Sequence, residues 1–207
     1  WIKPIMFSAG IGSMDAAHAD KGTPEKGMVI VKVGGPAYRI GVGGGAASSR
    51  VSDAAQANLD FDAVQRGDAE MENKMNRIIR ACVDMGEDNP IVSIHDQGAG
   101  GNGNVLKEIC EPVGGRMDVR KIPVGDQSLS VLEIWGAEYQ ENCALLTTPE
   151  RMPVLDALAA RENCLVSNLG TVTGDGKVVL YDSAAEAEAK TAKKGNGPVR
   201  APVDLEL

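Results

Sequence analysis

The sequence predicts an α/β chain of the α+β kind, a mixed sheet with helices packed on it, and three observations carry that expectation. Met28-Val29-Ile30-Val31-Lys32-Val33 is a β-branched apolar run stopped by Gly34-Gly35-Pro36, as a buried strand should be. Between Asp68 and Met85, Met71, Met75, Ile78, Ile79, Cys82 and Val83 recur at helical spacing and form one apolar stripe. Ile91 to His95 reads as a second strand that delivers Asp96 into the glycine turn Gln97-Gly98-Ala99-Gly100-Gly101, and a short helix follows from about Asn104 to Cys110. Strands and helices alternate unevenly and no repeat is present, which favours a mixed sheet over a barrel or a bundle.

The remaining elements follow in order. Residues 1–27 are mixed, with turn signals at Gly10-Ile11-Gly12 and Lys21-Gly22-Thr23-Pro24, and read as a lead-in from a preceding domain. The folded domain is expected over 28–182. Asp68 suits the N-cap of the long helix, Glu70 and Glu72 its positive end, Arg77 and Arg80 its other end, and Gly86 its close. Leu129–Trp135 and Asn142–Thr147 read as strands joined by Glu138-Tyr139-Gln140-Glu141. A helix is expected over Glu150–Arg161 behind Thr148-Pro149, with Pro153 blurring its start. Val166–Val172 and Val178–Tyr181 read as a hairpin around Thr173-Gly174-Asp175-Gly176. Residues 183–207, rich in Ala, Lys, Glu, Gly and Pro, read as a mobile tail or interdomain linker.

Composition excludes several classes of function. Of the 207 residues 43% are hydrophobic but only 3% aromatic, so aliphatic side chains must fill the core. A net charge of −8 argues against binding duplex nucleic acid, which needs a basic surface. No run of about 18 apolar residues is present, so no membrane span is expected. Cys82, Cys110, Cys143 and Cys164 stand apart in apolar stretches and read as reduced core thiols, which with the lack of a signal peptide gives a cytoplasmic expectation. The start at Trp1 suggests a fragment of a longer polypeptide.

Four clusters could carry chemistry. Asp96 at a strand end offers a hard oxygen to Mg²⁺, while Gly98, Gly100 and Gly101 permit close backbone approach to anionic oxygens; a plain turn with Asp96 as a helix cap is the other reading. The patch Gly41–Ser49, with Gly43, Gly44 and Gly45 at its centre, reads as a phosphate-approach loop or as glycine-rich structure, and it is not a Walker A loop. Gln65, just before the long helix, could offer its amide to a ligand or belong to a solvated helix entry. Glu138-Tyr139-Gln140-Glu141 sits where a simple hairpin would prefer Gly or Asn. His95 should point away from Asp96 and read as packed, His18 as solvated, and no Ser-His-Asp or Cys-His set assembles.

Taken together these clusters resemble one family. Lys32–Ser49, Leu59–Asp68, His95–Asn104 and Leu132–Glu141 stand in the order of phosphoribosylformylglycinamidine synthases, in the large single-chain form that carries its own glutaminase domain. The resemblance runs from about Lys3 to Asp182 and on through Pro202-Val203-Asp204-Leu205. It implies the fold of an aminoimidazole ribonucleotide synthetase C-terminal domain, the second member of the first of two synthetase pairs.

The activity implied is conversion of formylglycinamide ribonucleotide, ATP and glutamine to formylglycinamidine ribonucleotide, ADP, phosphate and glutamate in purine biosynthesis. ATP phosphorylates the amide oxygen, and ammonia from the glutaminase domain displaces the phosphate. By the same resemblance Asp96 matches a Mg²⁺ ligand, and Gln65, Glu138, Tyr139 and Gln140 are the expected substrate-binding residues, with Tyr139 standing where small relatives carry serine. The alternative role is a non-catalytic domain that supports a structural ADP and domain pairing. Either way the expected partners are the neighbouring synthetase and glutaminase domains, and the isolated chain is expected to be inactive.

Overall fold

The computed structural model describes residues 7, 9–42, 67–98, 100–191 and 199–207. Among them are seven strands: β1 (Val29–Gly34), β2 (Ser93–Asp96), β3 (Gly115–Asp118), β4 (Asn142–Thr147), β5 (Val166–Val172), β6 (Lys177–Tyr181) and β7 (Val203–Glu206). Five α-helices accompany them: α1 (Ala69–Val83), α2 (Gly101–Cys110), α3 (Val131–Gly136), α4 (Met152–Glu162) and α5 (Ser183–Thr191). The strands form one mixed sheet in the order β2-β4-β1-β5-β3-β6-β7, in which β3 and β6 are parallel and the other pairs antiparallel.

Strand β1 lies inside the sheet, between β4 and β5, and is buried along its whole length. Strict alternation therefore sends its side chains into two separate cores. Val29, Val31 and Val33 join Cys143 and Leu145 of β4 under the apolar stripe of α1 (Met75, Ile78, Cys82) and Leu155 and Leu158 of α4. Ile30 joins Ala144 and Leu146 on the opposite face, beneath Val105, Leu106 and Ile109 of α2 and Ile134 of α3. The long helix starts as its sequence demands, with the Asp68 carboxylate accepting from Met71 N at 3.0 Å. All four cysteines are free and buried.

Three expectations are corrected. Leu129–Trp135 is not a strand: Val131–Gly136 is helical because Ser130 and Glu133 form a reciprocal capping box, Ser130 Oγ accepting from Glu133 N and Glu133 Oε2 from Ser130 N. The strands β5 and β6 do not pair as a hairpin. The short strand β3 inserts between them, antiparallel to β5 and parallel to β6, and both Thr173 N and Gly176 N donate to carbonyls of the 113–114 turn that precedes β3. The region from Ser183 is not featureless, since it carries α5 and the edge strand β7, paired with β6 through Val178↔Leu205 and Leu180↔Val203. Helix α4 begins at Met152, with Pro153 in its first turn where a missing N–H costs nothing.

Candidate substrate and metal cleft

The C-terminal end of β2, the start of β4 and the flank of α1 enclose a cleft of about 550 Å³. Asp96, Gln97 and Gln140 line it together with Glu72, Asn76 and Asn142. The structure thus brings two of the sequence-predicted site residues, Asp96 and Gln140, to one cavity. Asp96 stands on the rim, its side chain 88% exposed. His95 turns to the other face of the sheet: its Nε2 lies against the Glu108 carboxylate on α2 and its Nδ1 donates to the Asp96 carbonyl at 2.9 Å. Alternation does not part the two neighbours fully, since His95 Nδ1 also stays 3.6 Å from the Asp96 carboxylate.

The 138–141 link is fixed from several sides. Glu138 is buried, and its Oε1 accepts the Gly100 N–H at 2.9 Å, tying the link to the glycine turn. Gly100 therefore spends its N–H within the protein. Gly101, at φ +58°, lies so close to Ala137 that a Cβ there would stand 2.3 Å from the Ala137 carbonyl oxygen, so only glycine fits. At Gly98 a Cβ would meet nothing within 4 Å, leaving the turn open on that side. Gln97 donates from Nε2 to the Ala137 carbonyl at 3.3 Å, and its backbone N–H donates to Asn142 O at 2.9 Å. Gly35 N donates to the Glu141 carbonyl, and Glu141 itself holds a positive φ of 57°. A left-handed glutamate is the kind of backbone strain that gathers at functional sites. Burial pushes its carboxyl above the ordinary range, opposed by the backbone N–H of Asp68.

Tyr139, expected to meet substrate, instead points inward, is 2% exposed and does not line the cleft. Its hydroxyl meets Asn102 Nδ2 at 2.5 Å, and burial pushes its ionisation upward. Asn142 Nδ2 reaches the Tyr139 and Gln140 carbonyls at 3.4 and 3.0 Å. Gln97, Asn102 and Asn142 are thus parts of the site that sequence reasoning missed. Two of them, Gln97 and Asn102, stand within the glycine-rich motif, overshadowed by its glycines.

Gln65 and Gly43, Gly44 and Gly45 lie outside the described residues. Their flanks are informative. Gly41, at φ +64°, abuts the Glu138 carbonyl, and Gly67 lies beside the Glu141 carboxylate. The stem before Gly41 is anchored by Arg39, whose guanidinium binds Glu133 at 2.7 Å and Ser128 Oγ at 3.2 Å. With Ser130, that guanidinium holds the Glu133 carboxyl down at about 2.

As a Mg²⁺ site the cleft offers the exposed carboxylate of Asp96, with Glu72 and Glu141 also in its lining. Among the described residues no group of three His, Cys, Asp or Glu side chains converges. So sparse a set suits an ion that would keep several waters and take phosphate oxygens of a bound substrate. No helix among the described residues is long and apolar enough to cross a membrane.

Comparison with known proteins decides the family. Residues 25–183 match the model described as AIR synthase related protein, C-terminal domain. The chain belongs to that family. Over its full length it is 58% identical to a protein of Arabidopsis thaliana named "Probable phosphoribosylformylglycinamidine synthase, chloroplastic/mitochondrial" and 56% identical to the Homo sapiens phosphoribosylformylglycinamidine synthase. It spans only 15% and 16% of those two proteins. Among solved structures, Thermotoga maritima PurL complexed with FGAR is similar over 79% of this chain and 27% of that one, with a TM-score of 0.66 and 25% identity.

Proposed function

We propose that this domain works within an ATP-dependent synthetase that converts formylglycinamide ribonucleotide and glutamine-derived ammonia to formylglycinamidine ribonucleotide. The observation that carries the reading is the meeting of Asp96 and Gln140 in one cleft, with Glu138 bonded to the glycine turn between them. The names of the relatives support it, as does the T. maritima structure, in which PurL is complexed with FGAR. The same bacterial protein has also been solved complexed with ATP.

In this reading Asp96 contributes one hard oxygen to Mg²⁺, which supplies charge neutralisation between phosphate oxygens. Gln140 and Gln65 offer amides that donate to, or accept from, the ribonucleotide. Glu138 holds the glycine turn against the link and so shapes the cleft wall. Tyr139, facing the interior, acts through the backbone that carries Gln140. Catalysis here is chiefly positioning, because phosphoryl transfer and amine displacement demand alignment more than covalent help from the protein. The partners of the reading are the neighbouring synthetase and glutaminase domains, and its compartment is the cytoplasm.

The test is steady-state kinetics on the full-length polypeptide. Gln140→Ala and Gln65→Ala should each raise the KM for formylglycinamide ribonucleotide by about tenfold while glutaminase activity stays intact. An unchanged KM in both variants would remove the substrate role from this cleft.

A further inference from the structure

Strand β1 reads Val-Ile-Val-Lys-Val-Gly, and its single charged residue is as buried as its neighbours: Lys32 is 3% exposed. It stands in register with Ala144 of β4 on one side and Ser167 of β5 on the other, facing the α2 side of the sheet. A lysine there is costly unless something is gained, since an ammonium loses its hydration on burial. Its Nζ finds no hydrogen-bond acceptor among the described residues and instead lies 5.1 Å from the centroid of the Tyr139 ring. The amine thus packs against the aromatic face, as a cation where it is protonated.

The other buried side-chain atoms without a partner among the described residues are Gln97 Oε1, Asn102 Oδ1 and Asn142 Oδ1. Each belongs to an amide already engaged with the link: Asn102 with the Tyr139 hydroxyl, Asn142 with the Tyr139 and Gln140 carbonyls, Gln97 with the Ala137 carbonyl. One surplus donor group and three surplus acceptors therefore surround a single residue. No other buried side-chain nitrogen or oxygen of the described residues lacks a partner. Such concentration is unexpected of a core built for stability alone, where an aliphatic residue would fill the Lys32 position.

We propose that Lys32 is a positioning residue for the proposed substrate site: by supporting the Tyr139 ring from the central strand, it fixes the backbone that presents Gln140 to the cleft. The inference rests on the functional reading above. Lys32 does not touch ligand, being sealed beneath the link. It acts through Tyr139, whose carbonyl and that of Gln140 share the Asn142 amide.

The experiment compares Lys32→Met with wild type in the full-length polypeptide, using ammonia as nitrogen donor. Methionine keeps the length and volume, so a lysine of merely structural value should be replaced with no kinetic effect and neutral or raised stability. The positioning role predicts a KM for formylglycinamide ribonucleotide raised about tenfold, with glutaminase activity unchanged. A KM within about twofold of wild type in a protein that keeps its glutaminase activity overturns it. Should Lys32→Met not accumulate as folded protein, Tyr139→Leu is read in the same way, with the same expected rise and the same overturning result. Gln140→Ala in the same assay separates the two levels: if it raises KM and Lys32→Met does not, only the role of Lys32 falls, whereas an unchanged Gln140→Ala removes the site itself.

Discussion

Burial of Lys32 lowers its ionisation from 10.5 to about 7, with the neighbouring Cys143 opposing weakly. The sign of the pH effect follows. Between about pH 7 and 10.5 the unfolded chain holds a proton on this amine that the folded chain has released, so stability rises with pH across that window. Below about 7 both states are protonated, and the full cost of the buried charge is present. The nearby titratable groups do not interfere, because burial pushes the thiol of Cys143, on the other face of the sheet, up to about 11 and the Tyr139 hydroxyl upward as well. Thermal melts at pH 6.5 and pH 9, about half a unit below and two units above that value, should show wild type gaining stability by a few kcal/mol relative to Lys32→Met. Parallel pH profiles for the two proteins would contradict the burial account. Lysine interrupting an apolar run was itself a signal in the sequence. Without the register that puts Tyr139 over it, however, nothing distinguished it from an edge-strand lysine reaching solvent.

At the scale of elements, periodicity identified what packing also required. β1, α1, β2 and β4 were legible because each buries a face whose spacing is that of its own backbone. Helix α3 was not, since Leu129, Val131, Ile134 and Trp135 fit either period over so short a span. The capping box decided it, and the Ser-x-x-Glu spacing of Ser130 and Glu133 was there to be read. Ser130→Ala should destabilise the protein by about 1 kcal/mol, read as a lower denaturant midpoint. An unchanged midpoint would mean that tertiary packing alone holds the helix. The β5–β6 error has a different origin: local turn chemistry cannot reveal a third strand inserted from 60 residues upstream, roughly the distance that separates Gly115 from the turn. The structured tail escaped for lack of apolar content, because α5 is anchored by polar groups. Asp182 binds Arg120 at 2.8 Å and accepts from Ala184 N and Ala185 N. Arg120 holds the Asp182 carboxyl below its usual range, so its contribution is present above the ordinary carboxylate pKa and is lost as pH falls through the lowered value. Asp182→Asn should accordingly flatten the acid limb of the stability profile; an unaltered limb would show that the clamp contributes nothing.

For the whole molecule, the two cores on either face of one sheet place the cleft at the edge where β2 ends and the 138–141 link begins. The resemblance carried by four ordered motifs pointed to the family, uneven alternation of strands and helices to the mixed sheet, and Asp96, Glu138 and Gln140 were singled out before their proximity was visible. What the sequence could not supply was orientation: that Tyr139 turns inward, that Gly100 gives its N–H to Glu138, and that Asn102 and Gln97 complete the support. These depend on contacts between segments some 40 residues apart, set by the sheet register rather than by any local pattern. The chain spans about one sixth of the relatives it matches, and among the described residues no three His, Cys, Asp or Glu side chains converge on a metal site. The isolated chain should therefore show no ATP-dependent turnover with formylglycinamide ribonucleotide and ammonia, and measurable turnover would mean that the site closes without other domains.

The central claim is that Asp96 is the metal corner of a working substrate cleft. Ammonia-dependent synthesis by full-length Asp96→Asn tests it most directly, because the glutaminase step is bypassed and can be assayed separately as a measure of folding. The account predicts turnover reduced by at least about a hundredfold with glutaminase activity retained. Near-wild-type turnover would contradict it, and a lowered melting temperature with release of copurifying ADP would assign the cleft to a structural nucleotide instead.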